Sequence, residues 1–384
     1  MNAILRLALP VLMAGGFLFG SCNSNDAAKS STDSTSDTTV VGGPDSAQQG
    51  AALELVFSDT AFQLTGVAKE PGGRLFVNYP LWNGPYRYAV VVASGDTARQ
   101  PYPDSLTNAW KPGAPGTNRW VCVQSVYVDD SSRTWVLDPA APKLMRVMGG
   151  GAKLVRMSRE GKMERTYSFN GVISDTSYVN DVRVDVARNY AYITDSKVGG
   201  IVVVDLASGK SRQVLKKHPS TQSDPNFKFI IDGHELVKNG KPAKFNSDGI
   251  ALTPDGAWLY YKPLTDDKLY RIRTDFLRDP NMTDTALGAK VEDLGHFTTT
   301  DGMIFDKAGN LYLGDLQNYR IVRVDKNHKM STLVQDQRLI WPDSYSIADG
   351  YLYISCSQIN KQPEYNNGQN KRNSPYTVYR VRLP

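Results

Sequence analysis

The chain is poor in the residues that carry most recognisable chemistry. It has 384 residues but only three cysteines and four histidines. No C-x-x-C, H-E-x-x-H, G-x-S-x-G or P-loop pattern occurs, which excludes the zinc, nucleophile-elbow and nucleotide-phosphate sites those patterns build. The Gly-rich "MGGGAK" at Met148 opens no convincing helix, so it does not read as a phosphate cradle. Charge is sparse too: charged residues make up 22%, and the formal net charge is +5. No block of lysine and arginine is interleaved with aromatics, so nucleic acid is not an expected partner.

One apolar run stands out, Leu7 to Phe19. It is too short for a comfortable membrane span. It follows a basic start and precedes Gly20-Ser21-Cys22, the layout of a cleaved export segment. "LFGSC" resembles a bacterial lipobox, with Phe19 where leucine is more usual. Residues 1–22 therefore read as a lipoprotein signal peptide, with Cys22 as the lipidated anchor. The lipid bilayer is then a partner through that anchor only, and the protein is extracytoplasmic or secreted. Residues 23–50 are rich in Ser, Thr, Asp and Gly and cannot bury enough apolar surface to fold, so they read as a tether.

What is abundant beyond residue 50 is turn and strand chemistry, with 20 tyrosines, 32 glycines and 21 prolines. A phrase recurs there: a polar residue, an apolar strand, a turn, then a strand with an aromatic. The six copies are "LTGVAKEPGGRLFVNYP", "VQSVYVDDSSRTWVLDP", "NDVRVDVARNYAYITDS", "SDGIALTPDGAWLYYKP", "TDGMIFDKAGNLYLGDL" and "PDSYSIADGYLYISCS". Each is followed by a third strand and several by a fourth. Four short antiparallel strands repeated radially make an all-β, six-bladed β-propeller over residues 51–384. The last copy runs out of chain at its third strand, "YTVYRVRLP". The unpartnered "ELVFSDT" from Glu54 then closes the ring as its outer strand.

Aligning the copies puts Thr65, Gln124, Asp181, Asp248, Asp301 and Asp343 at equivalent positions, spaced by 59, 57, 67, 53 and 42 residues. In a propeller these positions ring one mouth of the central channel, flanked here by Asn180 and Asn246. Four converging carboxylates repel unless a cation or hydrogen-bond donors satisfy them. The all-oxygen set Asn180, Asp248, Asp301 and Asp343 suits a hard divalent cation, Ca²⁺ above all. Alternatively, each aspartate caps its strand and bonds a neighbouring blade. A second polar ring, Asn78, Asp138, Asp195, Asp315 and Ser355, ends the second strands on the same face. Tyr79, Trp82, Phe297 and Trp341 in the connecting loops would wall a site for a small polar or aromatic ligand. His296, on the loop entering the fifth copy, is the best placed of the histidines for a general base. Cys122 and Cys356 lie in blades separated by a third, too far apart for a bridge, and are expected as free thiols.

Ser177 to Thr221, with "NSDGIALTPDGAWLYYKPL", "TTTDGMIFDKAGNLYLGDLQNYRIVRV" and "LIWPDSYSIADGYLYIS", resembles the major royal jelly protein/Yellow family, in particular its bacterial branch. The resemblance runs over roughly residues 54–384. It implies a six-bladed propeller. Insect members include pigmentation proteins linked to dopachrome conversion, nutrient proteins and salivary amine binders, and their disulfide pattern is missing here. The function expected first is binding of a small polar or aromatic ligand at the channel mouth. The alternatives are a divalent-metal-dependent lactonase or esterase of the gluconolactonase-like type, an isomerase acting on a catechol-derived substrate, and a protein-interaction scaffold. The lactonase-like group holds its metal with a glutamate on the first blade, where this chain has Thr65.

Overall fold

In the computed structural model, residues 52–384 are described. Cys22 and the tether lie outside the described residues. Six four-stranded antiparallel sheets follow one another along the chain. Blade one spans Gly66–Lys69, Leu75–Asn78, Val90–Ser94 and Ala98–Pro101. Blade two starts at Ser125–Val128, blade three at Val179–Asp185, blade four at Ser247–Leu252, blade five at Met303–Phe305 and blade six at Pro342–Ala348. Each of these first strands packs beside the first strand of the next blade, and blade six returns to blade one. The first strands therefore line a central axis, as the repeat predicts.

Ring closure also follows the prediction. Leu53–Asp59 pairs antiparallel with Tyr376–Arg382 and forms the outermost strand of blade six. Phe57 is fully buried in the core shared by blades six and one. Pairing the two ends of the domain in one sheet removes the open edge that a free last strand would present.

The blades are held by apolar layers between neighbouring sheets. Between blades two and three, Trp135, Leu137 and Leu154 pack on Val182, Ile193 and Val202. Strands with both faces covered need apolar residues at nearly every position, which is why runs such as "IVVVD" replace strict alternation. Each such side chain contributes roughly 1.5–3 kcal/mol by leaving water. Cys122 and Cys356 are buried and free, as expected from their separation.

One segment departs from the repeat. Between blades three and four, residues 222–246 form two small hairpins, Ile230–Ile231 with His234–Glu235 and Val237–Lys238 with Lys241–Pro242. This insertion accounts for the 67-residue spacing between Asp181 and Asp248, the longest of the five.

Candidate functional site

The first strands do not run straight into the channel mouth. In blades three, four and six the pairing register shifts between Val179 and Val182, Ser247 and Ile250, and Pro342 and Tyr345. Such bulges re-aim the residue they contain, here Asp181, Asp248 and Asp343. The glycines after two of the aspartates allow the strands to meet. A Cβ on Gly249 would lie 2.5 Å from the Asp301 carbonyl oxygen, and one on Gly302 would lie 2.3 Å from that of Asp343.

The backbone of the ring residues stitches blade to blade. Asn78 Nδ2 donates to Gln124 O at 3.0 Å, Thr194 Oγ1 to Asp248 O at 2.6 Å, and the Gly302 N–H to Asp343 O at 2.7 Å. Ser355 Oγ joins blade six to blade one by donating to Thr65 O. The ring carbonyls thus carry part of the blade-to-blade bonding, and the carboxyl groups add contacts of their own.

Those carboxyls are deeply buried. Asp181 is 8% exposed, Asp248 4%, Asp301 6% and Asp343 5%. Asn180 Nδ2 donates to Asp248 Oδ1, and Trp341 Nε1 donates to Asp301 Oδ2 at 2.6 Å. Asp343 Oδ2 is buried with no partner. Burial raises the Asp181 carboxyl, opposed by the positive charge of Arg183. Burial first, then the charge of Asp301 and a hydrogen bond to it, holds Asp248 well above the usual carboxylate range. Asp301 is raised by burial against the hydrogen bonds it accepts from Asp248 and Trp341. Asp343 is raised by burial and then by Asp301. The consistent picture is a proton held between Asp248 and Asp301, because two close carboxylates in a dry site do not both ionise. Lys262, buried beneath them, is pushed down to about 8 by burial, against the pull of nearby aspartates. Its Nζ donates to the carbonyls of Pro263 and Asp266.

The chain covers this cluster with its own residues. Phe229, Ile231 and Leu236 from the inserted hairpins pack with Trp341 and Ile359, and Trp82, Phe245 and Tyr365 join them. Phe229 and Trp341 have ring centroids 5.8 Å apart. Trp341 holds φ at 56°, a left-handed conformation costly for a bulky residue. Trp82 Nε1 donates to Tyr178 Oη at 2.9 Å, and Tyr178 Oη donates to Gln124 Oε1 at 2.7 Å. Trp82 and Gln124 therefore meet through Tyr178. The repeat alignment does not single out Tyr178, Phe229 or Ile231; the long spacing before Asp248 was the available sign of the cover.

Several predicted residues sit elsewhere. His296 is a correction: it ends the outermost strand of blade four, Glu292–His296, and not a loop at the mouth. Its side chain is 67% exposed and bonds Asp267 at 2.7 Å. A fourth strand lies at the propeller's outer edge, so it cannot bring a side chain to the axis. The second polar ring is also structural. Asp138 accepts from the Val121 and Cys122 N–H groups and from Lys153, Asp195 from Tyr178 N–H, and Asp315 from Arg320. Tyr79 donates to Asp59, and Phe297 packs edge-on against His328.

For a divalent cation the donor chemistry is suitable, being all oxygen. The arrangement is not: no three His, Cys, Asp or Glu side chains among the described residues converge as a ligating group.

The comparisons with known proteins agree with the fold. The chain is 23% identical to Protein yellow of Drosophila melanogaster over 240 residues, 56% of this chain and 41% of that protein. It is 25% identical to Major royal jelly protein 3 of Apis mellifera over 215 residues, 53% of this chain and 38% of the other. These matches thus take in about two fifths of the relatives' length. Among solved structures, a gluconolactonase from Xanthomonas campestris matches with a TM-score of 0.52 at 13% identity, covering 87% of this chain and 90% of that one. A calcium-binding regucalcin from Agrobacterium tumefaciens matches with a TM-score of 0.50 at 12% identity, covering 86% and 93%. Both show the propeller fold alone. The family model described as Major royal jelly protein matches residues 121–383. With that span and the six-bladed ring together, the chain belongs to the major royal jelly protein family.

Proposed function

We propose that this protein is an exported propeller, anchored through lipid on Cys22, that binds a small ligand at the carboxyl cluster of its central channel. The ligand carries a positively charged or hydrogen-donating head and an aromatic or polar body. The observation that carries this reading is the Asp343 carboxyl, buried with one oxygen unpartnered, in a cluster with the buried Asp248 and Asp301 carboxyls. Buried polar atoms without partners are rare and costly. A cationic head would satisfy Asp343 and displace the proton that Asp248 and Asp301 hold. The aromatic cover of Trp341, Phe229 and Trp82 would contact the body of the ligand. That cover must part for entry.

Benzylamine is a suitable probe, with benzyl alcohol as the uncharged control. Calorimetry on wild type should show binding of the amine with proton release, and Asp343→Asn should lower affinity at least about tenfold, a change of about 1.4 kcal/mol. Equal binding of amine and alcohol, or full affinity in Asp343→Asn, removes the reading. Mass spectrometry of the mature N-terminus tests lipidation at Cys22.

A second reading is a divalent cation held by Asn180, Asp248, Asp301 and Asp343, serving a lactonase or esterase. It is favoured by the all-oxygen donor set and requires the carboxyls to draw together. Melting of wild type and Asp248→Ala in Ca²⁺ and in EDTA tests it. Unchanged melting in every condition removes it.

A further inference from the structure

The channel has a second end. Where the first strands finish, residues from all six blades line a funnel of about 440 Å³. Ala68, Tyr127, Arg183, Asp255, Phe305 and Ser346 each represent one blade. This mouth lies at the turn that follows each first strand, opposite the aspartate ring.

At its inner end lies Arg183, two residues beyond Asp181 on the same strand and 6% exposed. Its guanidinium crosses the channel. Nη1 donates to Val182 O and Nη2 to Met303 O, each at 2.6 Å, so blade three is tied to blade five. A guanidinium has five N–H donors. Nε is buried with no partner, and no carboxylate among the described residues forms a salt bridge with this side chain. Arginines this buried are ordinarily paired with an anion. Here the two partners are neutral carbonyls, and the charge faces a cavity. One face of the guanidinium is taken by Tyr127, whose ring centroid is 5.5 Å from Cζ.

We infer that this opposite mouth is a second binding site, taking the carboxylate of a small monoanionic organic acid on Arg183. The planar fork of arginine matches a carboxylate. The rim restricts the ligand's charge. Asp130, Asp185, Asp255 and Asp306 outnumber Arg188 and Lys307 there. Asp185 already binds Arg188 at 3.0 Å. Dianions and phosphates meet repulsion at such a rim, whereas a single carboxylate that passes it reaches a guanidinium hydrogen-bonded only to neutral carbonyls. Tyr127, Ile304 and Phe305 offer apolar wall for an organic body.

Calorimetry on the full chain with benzoate, benzamide and inorganic phosphate tests this. Benzoate should bind wild type, and the neutral amide and phosphate should not. Arg183→Met should weaken benzoate at least tenfold, with an unchanged far-ultraviolet circular dichroism spectrum and a cooperative melt as the control for folding. Should Arg183→Met fail to fold, Ala187→Glu serves instead, because Ala187 is an exposed rim residue. Added negative charge there should weaken benzoate severalfold. The inference is overturned if benzamide binds as well as benzoate, if a folded Arg183→Met keeps wild-type affinity, if Ala187→Glu binds unchanged, or if benzoate gives no saturable heat up to about 10 mM.

Discussion

Trp341 donates its indole N–H to the Asp301 carboxylate at 2.6 Å, from the loop that enters blade six to the acid that precedes blade five. The contact joins the aromatic cover to the buried acids. It also gives a reason for Trp341 to tolerate a positive φ: the indole reaches Asp301 from that backbone and packs on Phe229. Replacing it with phenylalanine keeps most of the packing and removes the donor. Trp341→Phe should lose about 1–3 kcal/mol in urea unfolding, the usual cost of orphaning a buried acceptor. It should also raise the Asp301 carboxyl further, since Trp341 is one of the groups holding it down.

The shared proton makes a pH prediction. Both Asp248 and Asp301 have folded values above the ordinary 3.8, with Asp301 pushed up to about 7 and Asp248 well above its usual value. The folded state therefore binds these protons more tightly than the unfolded state. Their stabilising contribution is complete below 3.8 and is lost as pH rises through about 7 and beyond. Asp248→Asn mimics the protonated acid at every pH. It should match wild type near pH 4 and exceed it in stability above pH 7, because the acid's raised folded pKa costs stability only where the acid must ionise. Melting curves across this range check it, and parallel curves for the two proteins would contradict the shared proton.

The glycines beside the ring should be irreplaceable. Gly302→Ala puts a methyl 2.3 Å from the Asp343 carbonyl oxygen, which already accepts the Gly302 N–H. Neither backbone can retreat without breaking the blade-to-blade bond. We expect a loss on the order of 2–4 kcal/mol in chemical denaturation, the range of severe steric substitutions. Gly72→Ala has open space around its Cβ but a φ of +59°, so its smaller cost would isolate conformation from clash.

Cys122 and Cys356 should behave as inert thiols. Burial pushes Cys122 up to about 12 and raises Cys356 as well. Thiolate is the reactive form, so the folded protein should react very slowly with a disulfide reagent at neutral pH. Unfolding without reductant should expose both at once. Finding neither after unfolding would mean they had been oxidised.

The fold was legible because a propeller repeats its own grammar. The phrase around Asp248 recurs six times, and the count of strands at the two ends demanded that Glu54 to Thr60 complete the last blade. The equivalence of Asp181, Asp248, Asp301 and Asp343 was legible for the same reason. His296 was misplaced because chain order says that a residue precedes Asp301, not how far from the axis it lies; a fourth strand intervenes.

Sequence alone determined the blade number, the closure of the ring and the four acids at its axis, since local strand and turn chemistry repeats with the chain. Only the tertiary structure decided that backbone carbonyls stitch the blades and that the acids are sealed under Phe229, Ile231 and Trp341. It alone turned Arg183 across the channel toward the opposite mouth. These contacts join residues from different blades, and burial of a charge depends on what the rest of the chain packs over it. No local pattern records that.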